Sequence, residues 1–161
     1  MNKKIIGIGE YISEKAPMII VTLGLGSCVG VCIRDKAKNI GGMVHVMLPQ
    51  NNSKENIKPG KYADTGIELV LEGILKQGGE MRNLEAKIAG GAAMFGNSSK
   101  SMDIGKRNIE AVKSILKSKN IKIISEEIAG NRARSIEYDL QSGNLQIKKV
   151  GGGEKVEILI I

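Results

Sequence analysis

A glycine-rich bend carries the first residue of this chain that could do chemistry. Residues 21–23 have the apolar, β-branched character of a strand, Gly24 and Gly26 interrupt it, and Cys28 follows directly. Glycine adopts backbone angles that strain other residues, so it can expose a side chain at a sharp corner. Backbone N–H groups in such a bend, here those of Gly26, Ser27 and Cys28, can stabilise a developing negative charge. The pattern predicts a cysteine nucleophile for acyl transfer.

The alternative for Cys28 is a small buried residue on a strand, because free cysteines are among the most buried residues. The flanking glycines leave the two interpretations evenly balanced. Cys32 differs, since it stands between Val31 and Ile33 inside a strand pattern with no adjacent glycine. We therefore expect Cys32 to be a structural core residue.

The single histidine, His45, interrupts an apolar run one strand after Cys28. A lone histidine on an apolar strand is usually a hydrogen-bonded core residue. Consecutive strands, however, are usually neighbours in space, which would bring the two side chains together. A thiol is mostly protonated at neutral pH, and a nearby imidazole can take its proton. In a cysteine-dependent enzyme His45 is then the general base.

Other chemical templates fit poorly. Residues 26–30 have the form of the α/β-hydrolase elbow, but that fold requires a histidine late in the chain. The glycine run 151–153 is followed by Glu154-Lys155-Val156 and is not a phosphate-binding loop. Two cysteines and one distant histidine make a poor zinc set. The sequence predicts neither a metal nor a cofactor.

Length and composition indicate one cytoplasmic domain spanning residues 1–161. The net charge of +7 favours an acidic partner, but the basic residues are scattered and often lie beside acids. One phenylalanine and three tyrosines are too few for a base-stacking platform, so nucleic acid is not the expected partner. The short N-terminal apolar run predicts no signal peptide, and two close cysteines fit a reducing cytoplasm.

The pattern of apolar residues predicts many strands and two main helices. One helix should contain the stripe Ile67, Val70, Leu71, Ile74 and Leu75 and end at Gly78-Gly79, and a second should run from about Ile104 to Lys119. The predicted strands are Lys4–Ile8, Pro17–Leu23, Val29–Ile33, Ile40–Leu48, Leu84–Ala89, Ile121–Ile128, a hairpin over 136–147, and Val156–Ile161. Pro49–Gly60 should be a surface loop. The expected fold class is α/β (α+β), a single-domain layered sandwich of mixed β-sheet.

Several blocks in order resemble the CheD family of chemoreceptor glutamine deamidases. They are Thr22-Leu23-Gly24-Leu25-Gly26-Ser27-Cys28-Val29, His45-Val46-Met47-Leu48-Pro49, Lys61-Tyr62-Ala63-Asp64, Lys87-Ile88-Ala89-Gly90-Gly91-Ala92, Ile104-Gly105-Lys106-Arg107-Asn108 and Asn131-Arg132-Ala133-Arg134. The match covers nearly the whole chain. One departure is visible, because many members have glycine where this chain has Ala129 and Ala133.

The resemblance implies a function and a set of partners. It implies a Cys–His–Thr triad of Cys28, His45 and Thr22, and a sandwich related to that of toxins that deamidate Rho-family GTPases. The substrates would be glutamines on the cytoplasmic helices of chemoreceptors, hydrolysed to glutamate through a thioester, with methylesterase activity as a side reaction. The implied partner is the CheC phosphatase, and contact with the membrane would be only indirect, through receptors.

Thr22 also fits the third position of the triad from its place in the sequence. No carboxylate lies between Glu14 and Asp35, and Asp35 falls in a turn away from the bend. The hydroxyls near the bend are those of Thr22 and Ser27, and the side chains of Ser27 and Cys28 diverge in an extended chain. Thr22, through its hydroxyl or its carbonyl, is therefore the expected orienting group.

Two further interpretations stay open from the sequence. Lys58, Lys61 and Tyr62 place two cations and an aromatic ring at the start of a helix, either as a binding surface for substrate or partner or as a solvated helix entry. The whole chain could instead be a non-enzymatic basic module that binds a receptor or a phosphatase. An RNA-binding domain is a third, weaker option.

Overall fold

The computed structural model describes residues 2–51, 58–94 and 99–161, and for residues 99–103 it describes the backbone alone. Within these ranges the chain forms ten strands and two α-helices. The strands are β1 Lys3–Ile6, β2 Tyr11–Lys15, β3 Ile19–Leu25, β4 Val29–Asp35, β5 Ile40–Val46, β6 Leu84–Gly90, β7 Lys122–Ile128, β8 Ala133–Asp139, β9 Leu145–Val150 and β10 Glu157–Ile160. The helices are α1 Ala63–Lys76 and α2 Ser99–Ser118.

The strands form two mixed five-stranded sheets. The first sheet has the order β1-β3-β8-β9-β10 and the second has the order β2-β5-β4-β6-β7. Among these pairs β1–β3 and β6–β7 are parallel and the others are antiparallel. One apolar cluster fills the space between the sheets, and another lies between the second sheet and the helices. The predicted layered sandwich with two main helices is confirmed.

Strand β4 lies at the centre of the second sheet and is buried on both faces. Its Val29, Val31 and Ile33 pack in the cluster that contains the helices. Cys32, which points to the opposite face, packs between the two sheets. Because side chains alternate along a strand, Cys28 and Gly30 belong to the same face as Cys32.

Helix α1 follows the predicted apolar stripe with one correction. Ile67, Val70, Leu71 and Ile74 are buried, but Leu75 is 42% exposed because it lies at the edge of the stripe near the helix end. The helix ends as predicted, and Gly78 has a positive φ of 105° that glycine tolerates without strain.

Helix α2 begins earlier than predicted, at Ser99 rather than near Ile104, and ends at Ser118. Its Ile109, Val112 and Leu116 are buried, and Ile115 packs against them. Among the described residues, no helix combines the length and the apolar character that a membrane crossing requires.

Strand β2 and the C-terminal end of strand β3 differ from the sequence prediction in ways that affect the site. Strand β2 was not predicted, because Tyr-Ile-Ser-Glu-Lys alternates weakly and forms a half-exposed edge strand beside β5. Strand β3 continues to Leu25 instead of stopping at Leu23, and its register against β8 shifts between Thr22 and Leu25. The shift buries both Thr22 and Leu25 and leaves Leu23 59% exposed.

The predicted loop Pro49–Gly60 lies partly outside the described residues, which omit 52–57. Its described end enters a short 3₁₀ turn, Pro59–Lys61, directly before α1. Ala129 has a φ of 64°, in the left-handed region that glycine prefers. A glycine at this position would adopt that conformation without strain.

Candidate active site

Hydrogen bonds accepted by backbone carbonyl groups hold the bend before β4, residues 26–28, in place. The N–H of Ala92 donates to Gly26 O at 2.8 Å, and the N–H of Gly91 donates to Cys28 O at 2.8 Å. The side-chain amide of Asn108 donates to Ser27 O at 3.0 Å. Three consecutive carbonyls are therefore bound by donors from other parts of the chain.

The N–H groups of Ser27 and Cys28 have no acceptor among the described residues. In a trans peptide the N–H points opposite to the C=O of the preceding residue. The N–H of Ser27 therefore points away from Ala92, and the N–H of Cys28 points away from Asn108. Two adjacent free donors are what an oxyanion hole requires.

His45 lies between the two sheets and contacts Thr22. Its Nδ1 is 2.7 Å from the Thr22 hydroxyl, which also lies 2.8 Å from the carbonyl oxygen of Ile6. A hydroxyl has one proton and a carbonyl can only accept, so the hydroxyl donates to Ile6 O. Nδ1–H of His45 must then donate to the hydroxyl. Thr22 thereby selects the tautomer whose Nε2 carries a free lone pair.

The free nitrogen of His45 lies on the same face of the second sheet as the cysteine. Gly30 pairs directly with His45 across β4 and β5, and Cys28 lies two residues before Gly30. Such diagonal neighbours are close enough for side chains to interact. His45 Nε2 is buried and has no hydrogen-bond partner among the described residues, so it is available to take a proton.

Gly30 is packed closely against the facing sheet. A Cβ atom at this position would lie 2.7 Å from Cδ1 of Ile136 and 3.2 Å from Cδ1 of Leu25. The first distance is shorter than a van der Waals contact, so a larger residue would require the end of the Ile136 side chain to move. Glycine therefore serves packing at this position.

Burial determines the protonation state of the resting pair. It lowers the pKa of His45 to about 4 and raises the pKa of the Cys28 thiol above its usual range. At neutral pH the site therefore holds a neutral imidazole and a thiol, not an imidazolium and a thiolate. The proton must move from sulfur to Nε2 as the sulfur attacks.

The two cysteines differ in environment. Cys28 was expected to be an exposed bend residue, but it is half-buried and packs at the edge of the cluster between the sheets. Cys32 is fully buried in that cluster, as predicted, and burial raises the pKa of its thiol far above the usual range.

The structure places the predicted cationic segment near the base. Lys61 O accepts hydrogen bonds from the N–H groups of Met47 and Leu48, just past His45. The side chains of Lys58 and Lys61 also lie beside Gly9, and a Cβ there would be 3.4 Å from each of them. The N–H of Gly9 donates to His45 O at 2.9 Å.

Tyr62 is half-buried and stands directly before α1, as its N-cap residue. The segment from Lys58 to Tyr62 thus lies along the strand end that carries His45.

Sequence reasoning missed Asn108, a fully buried residue of α2. Its Nδ2 donates to Ser27 O and to Met47 O, each at 3.0 Å, and so links the bend to the end of β5. The one signal in the sequence is a polar amide on a helix turn between the apolar residues Ile104 and Val112. That signal does not show what the amide contacts.

Comparisons with known proteins identify the family. The family model described as "CheD chemotactic sensory transduction" matches residues 47–149, a range that does not include Thr22, Cys28 or His45. A relative from Thermotoga maritima, named "Chemoreceptor glutamine deamidase CheD", is 56% identical over 156 residues, which are 97% of this chain and 98% of the relative.

More distant relatives cover the chain equally well. Proteins from Clostridium kluyveri and Thermococcus kodakarensis, both named "Probable chemoreceptor glutamine deamidase CheD", are 46% and 40% identical. These matches cover 93% and 94% of this chain, and 94% and 96% of the relatives.

A solved structure supports the fold. It is a Neisseria meningitidis protein of the DUF152 family, with a TM-score of 0.51 and 9% identity, covering 85% of this chain and 74% of that one. At this identity the likeness concerns the fold alone. The family match and the relatives at 40–56% identity carry the assignment. The chain belongs to the CheD family.

Proposed function

We propose that this protein is a chemoreceptor glutamine deamidase in which Cys28 is the nucleophile, His45 the general base and Thr22 the orienting group. The observation that carries the proposal is the chain of contacts from Ile6 O through the Thr22 hydroxyl to His45 Nδ1. It leaves Nε2 unprotonated on the sheet face that also bears Cys28. The names of the relatives supply the substrate, a glutamine of a chemoreceptor.

The reaction follows from these groups. Nε2 of His45 takes the thiol proton as Cys28 sulfur bonds to the side-chain amide carbon of glutamine. The N–H groups of Ser27 and Cys28, in the bend that begins at Gly26, donate to the oxygen that becomes negative. The imidazolium then gives its proton to the amine, ammonia leaves, and a thioester remains. Water, deprotonated by His45, hydrolyses the thioester to glutamate and regenerates the thiol.

The low pKa of His45 suits the second half of this cycle. An imidazolium with a pKa of about 4 is a strong proton donor to the leaving amine. The same property makes the neutral ring a weak base, so little thiolate accumulates before substrate arrives. A methyl ester of glutamate would form the same thioester, and methylesterase activity belongs to the proposal for that reason.

The experiment that tests the function is mass spectrometry of a chemoreceptor cytoplasmic fragment incubated with the protein. Each deamidated glutamine gains about 1 Da, and fragmentation places the gain on a residue. A fragment that stays unchanged at enzyme concentrations near its own would contradict the proposal. The proposal also includes a cytoplasmic location and binding of the CheC phosphatase. A titration of the deamidation reaction with purified CheC would test the binding.

Thr22→Val is expected to lower kcat by about 10- to 100-fold with little change in KM. Valine keeps the shape of threonine but leaves His45 Nδ1–H and Ile6 O without their partner, so the ring loses its fixed tautomer and orientation. The two buried polar groups left without partners should also lower the free energy of unfolding by about 1–3 kcal/mol. Steady-state kinetics and urea unfolding measure the two effects.

Thr22→Ser is the matched control, because it keeps the hydroxyl and removes only a methyl group. It should retain most of the activity. Ser27→Ala should also be mild, because the bend uses the backbone of Ser27. If Thr22→Val were fully active, the hydroxyl would have no orienting role.

We also propose that Lys58, Lys61 and Tyr62 contact the substrate or a partner beside the active site. Lys61→Glu should raise KM for an acidic receptor fragment several-fold and leave kcat unchanged, with the difference shrinking as salt is added. Lys148→Glu, an exposed residue of β9 in the other sheet, makes the same change in net charge and should have no such effect. Equal KM values for the two variants would contradict a role for the segment.

A further inference from the structure

The orientation of the Asn108 amide is fixed by its partners. The described groups within hydrogen-bond distance, Ser27 O and Met47 O, are carbonyl oxygens that can only accept. The nitrogen of the amide must therefore face them, and the oxygen must face away. That oxygen, Oδ1, is buried and has no hydrogen-bond partner among the described residues.

The position carries an energetic cost that an apolar residue would avoid. Asn108 is 0% exposed, and the neighbouring α2 residues Ile109 and Val112 belong to the apolar cluster under the second sheet. A buried acceptor without a partner is unfavourable. The amide offsets this cost by donating two hydrogen bonds to backbone carbonyl groups that lie far from it in sequence.

The bond to Ser27 O acts on one particular peptide plane. Ser27 C=O and Cys28 N–H belong to the same trans peptide and point in opposite directions. Holding the carbonyl toward α2 turns the Cys28 N–H away from α2. The carbonyls on either side, of Gly26 and Cys28, are held by backbone N–H groups. Among the described residues, the carbonyl of Ser27 therefore differs from its two neighbours in accepting its hydrogen bond from a side chain.

We propose that Asn108 is a positioning residue that aims the Cys28 N–H at the oxyanion of the reaction. The inference rests on the proposed function, because it concerns the oxyanion formed at Cys28. The second bond, to Met47 O just after β5, anchors the amide and fixes its reach to the bend. Without the amide, the Ser27–Cys28 peptide can rotate, and the donor no longer points at the developing charge.

Asn108→Leu tests this directly, because leucine has the same number and branching of side-chain heavy atoms and no donor. Deamidation should fall by about 10- to 100-fold in kcat with KM nearly unchanged, since a donor that acts on the oxyanion acts in the transition state. Alkylation of Cys28 by iodoacetamide should stay within about threefold of the wild-type rate. That displacement forms an S–C bond and releases iodide without forming an oxyanion.

A substrate analogue gives a readout that does not require turnover. In a peptide whose glutamine amide is replaced by an aldehyde, the thiol adds to the carbonyl carbon and its proton moves through His45 to the oxygen. The adduct keeps an oxygen where the oxyanion would lie. Asn108→Leu should weaken this binding by about 10- to 100-fold. If the wild-type protein binds the aldehyde but does not deamidate receptors, the proposed function fails while the role of Asn108 can still be read.

Val112→Ala is the matched control, because it removes buried volume one turn along the same helix and contacts no carbonyl of the bend. It should lower the melting temperature yet leave the ratio of deamidation to alkylation unchanged. Asn108→Ala provides a second variant if leucine prevents folding, and it should show the same selective loss of deamidation, because alanine also lacks the donor. Parallel loss of deamidation, aldehyde binding and alkylation would show a merely structural residue, and unchanged deamidation would overturn the proposal.

Discussion

Replacing Cys28 with alanine is expected to lower the rate of glutamine deamidation by about 10⁴-fold or more. Without the thiol no thioester can form. The residual activity then comes from substrate binding and stabilisation of the oxyanion, as in other hydrolases that lack their nucleophile. Cys28→Ser should be nearly as inactive. A serine hydroxyl is a much weaker acid and a weaker nucleophile toward an amide carbon than a thiol, and the weak base His45, with its pKa of about 4, assists its attack only slightly.

The stability of Cys28→Ala should change little. The side chain is half-buried at the edge of the cluster between the sheets, so removing one sulfur leaves a small cavity that is open to solvent. Mass spectrometry of the receptor fragment measures the activity, and thermal unfolding measures the stability. A variant that unfolds far below the wild-type temperature would make the loss of activity uninformative, and Cys28→Ser would then decide.

Cys32→Ala is the control within the strand that follows Cys28. It removes a fully buried sulfur from β4, on the face that also bears Cys28, so it should lower the stability by about 1 kcal/mol and leave kcat almost unchanged. Alkylation rates alone do not distinguish the two cysteines, because Cys32 is protected by burial whatever the state of Cys28. If Cys32→Ala were inactive and Cys28→Ala active, the nucleophile would be Cys32.

The fold could be predicted in segments whose residue pattern is compatible with only one type of secondary structure. The stripe of α1 matches the period of a helix, the short continuous apolar run around Val31 matches a strand buried on both faces, and both elements form as expected. Strand β2 has no such pattern. Its Glu14 pairs with Gly41 at the sheet edge through backbone hydrogen bonds, which any side chains permit. Polar edge strands are therefore invisible to an analysis of periodicity.

The candidate site was predicted from residue types, but its organisation was not. A bend with glycines and a cysteine is visible in the sequence, and so is a lone histidine one strand later. The contact between Asn108 and Ser27 joins residues that are 81 positions apart, and it depends on where α2 packs. The neutral resting state of Cys28 and His45 likewise follows from burial between two sheets, which no local pattern reveals.

Replacing His45 with asparagine is expected to lower kcat by about 10³-fold or more. The asparagine amide can still donate to the Thr22 hydroxyl, so the sandwich keeps its buried hydrogen bond but loses its base and its acid. Met43→Ala, on the same face of β5 and also fully buried, is the matched control for packing. It should be less stable and remain active. A His45→Asn enzyme within tenfold of the wild type would remove His45 from the mechanism.

The pH dependence of the free energy of unfolding should also reveal the protonation of His45, when the wild type is compared with His45→Asn. Its pKa is about 4 in the folded state, below the ordinary value of 6.5, so the unfolded chain takes up a proton first as the pH falls. The free energy of unfolding should therefore fall between pH 6.5 and pH 4, by at most about 1.4 kcal/mol per pH unit. Urea unfolding at pH 7 and pH 5 should show a larger loss for the wild type than for His45→Asn, because asparagine does not titrate.

The pH dependence of the wild-type reaction is the sharpest test of the buried base. Nε2 must be unprotonated to accept the thiol proton, and with a pKa of about 4 it stays so throughout the weakly acidic range. We expect kcat/KM to be nearly constant from pH 7 to about pH 5 and to fall below that, with a midpoint near 4. The apparent values belong to the thiol–imidazole pair, and the high thiol pKa moves the alkaline limit upward. A midpoint near 6.5 would mean that the imidazole is solvated, or paired with a thiolate, in the free enzyme.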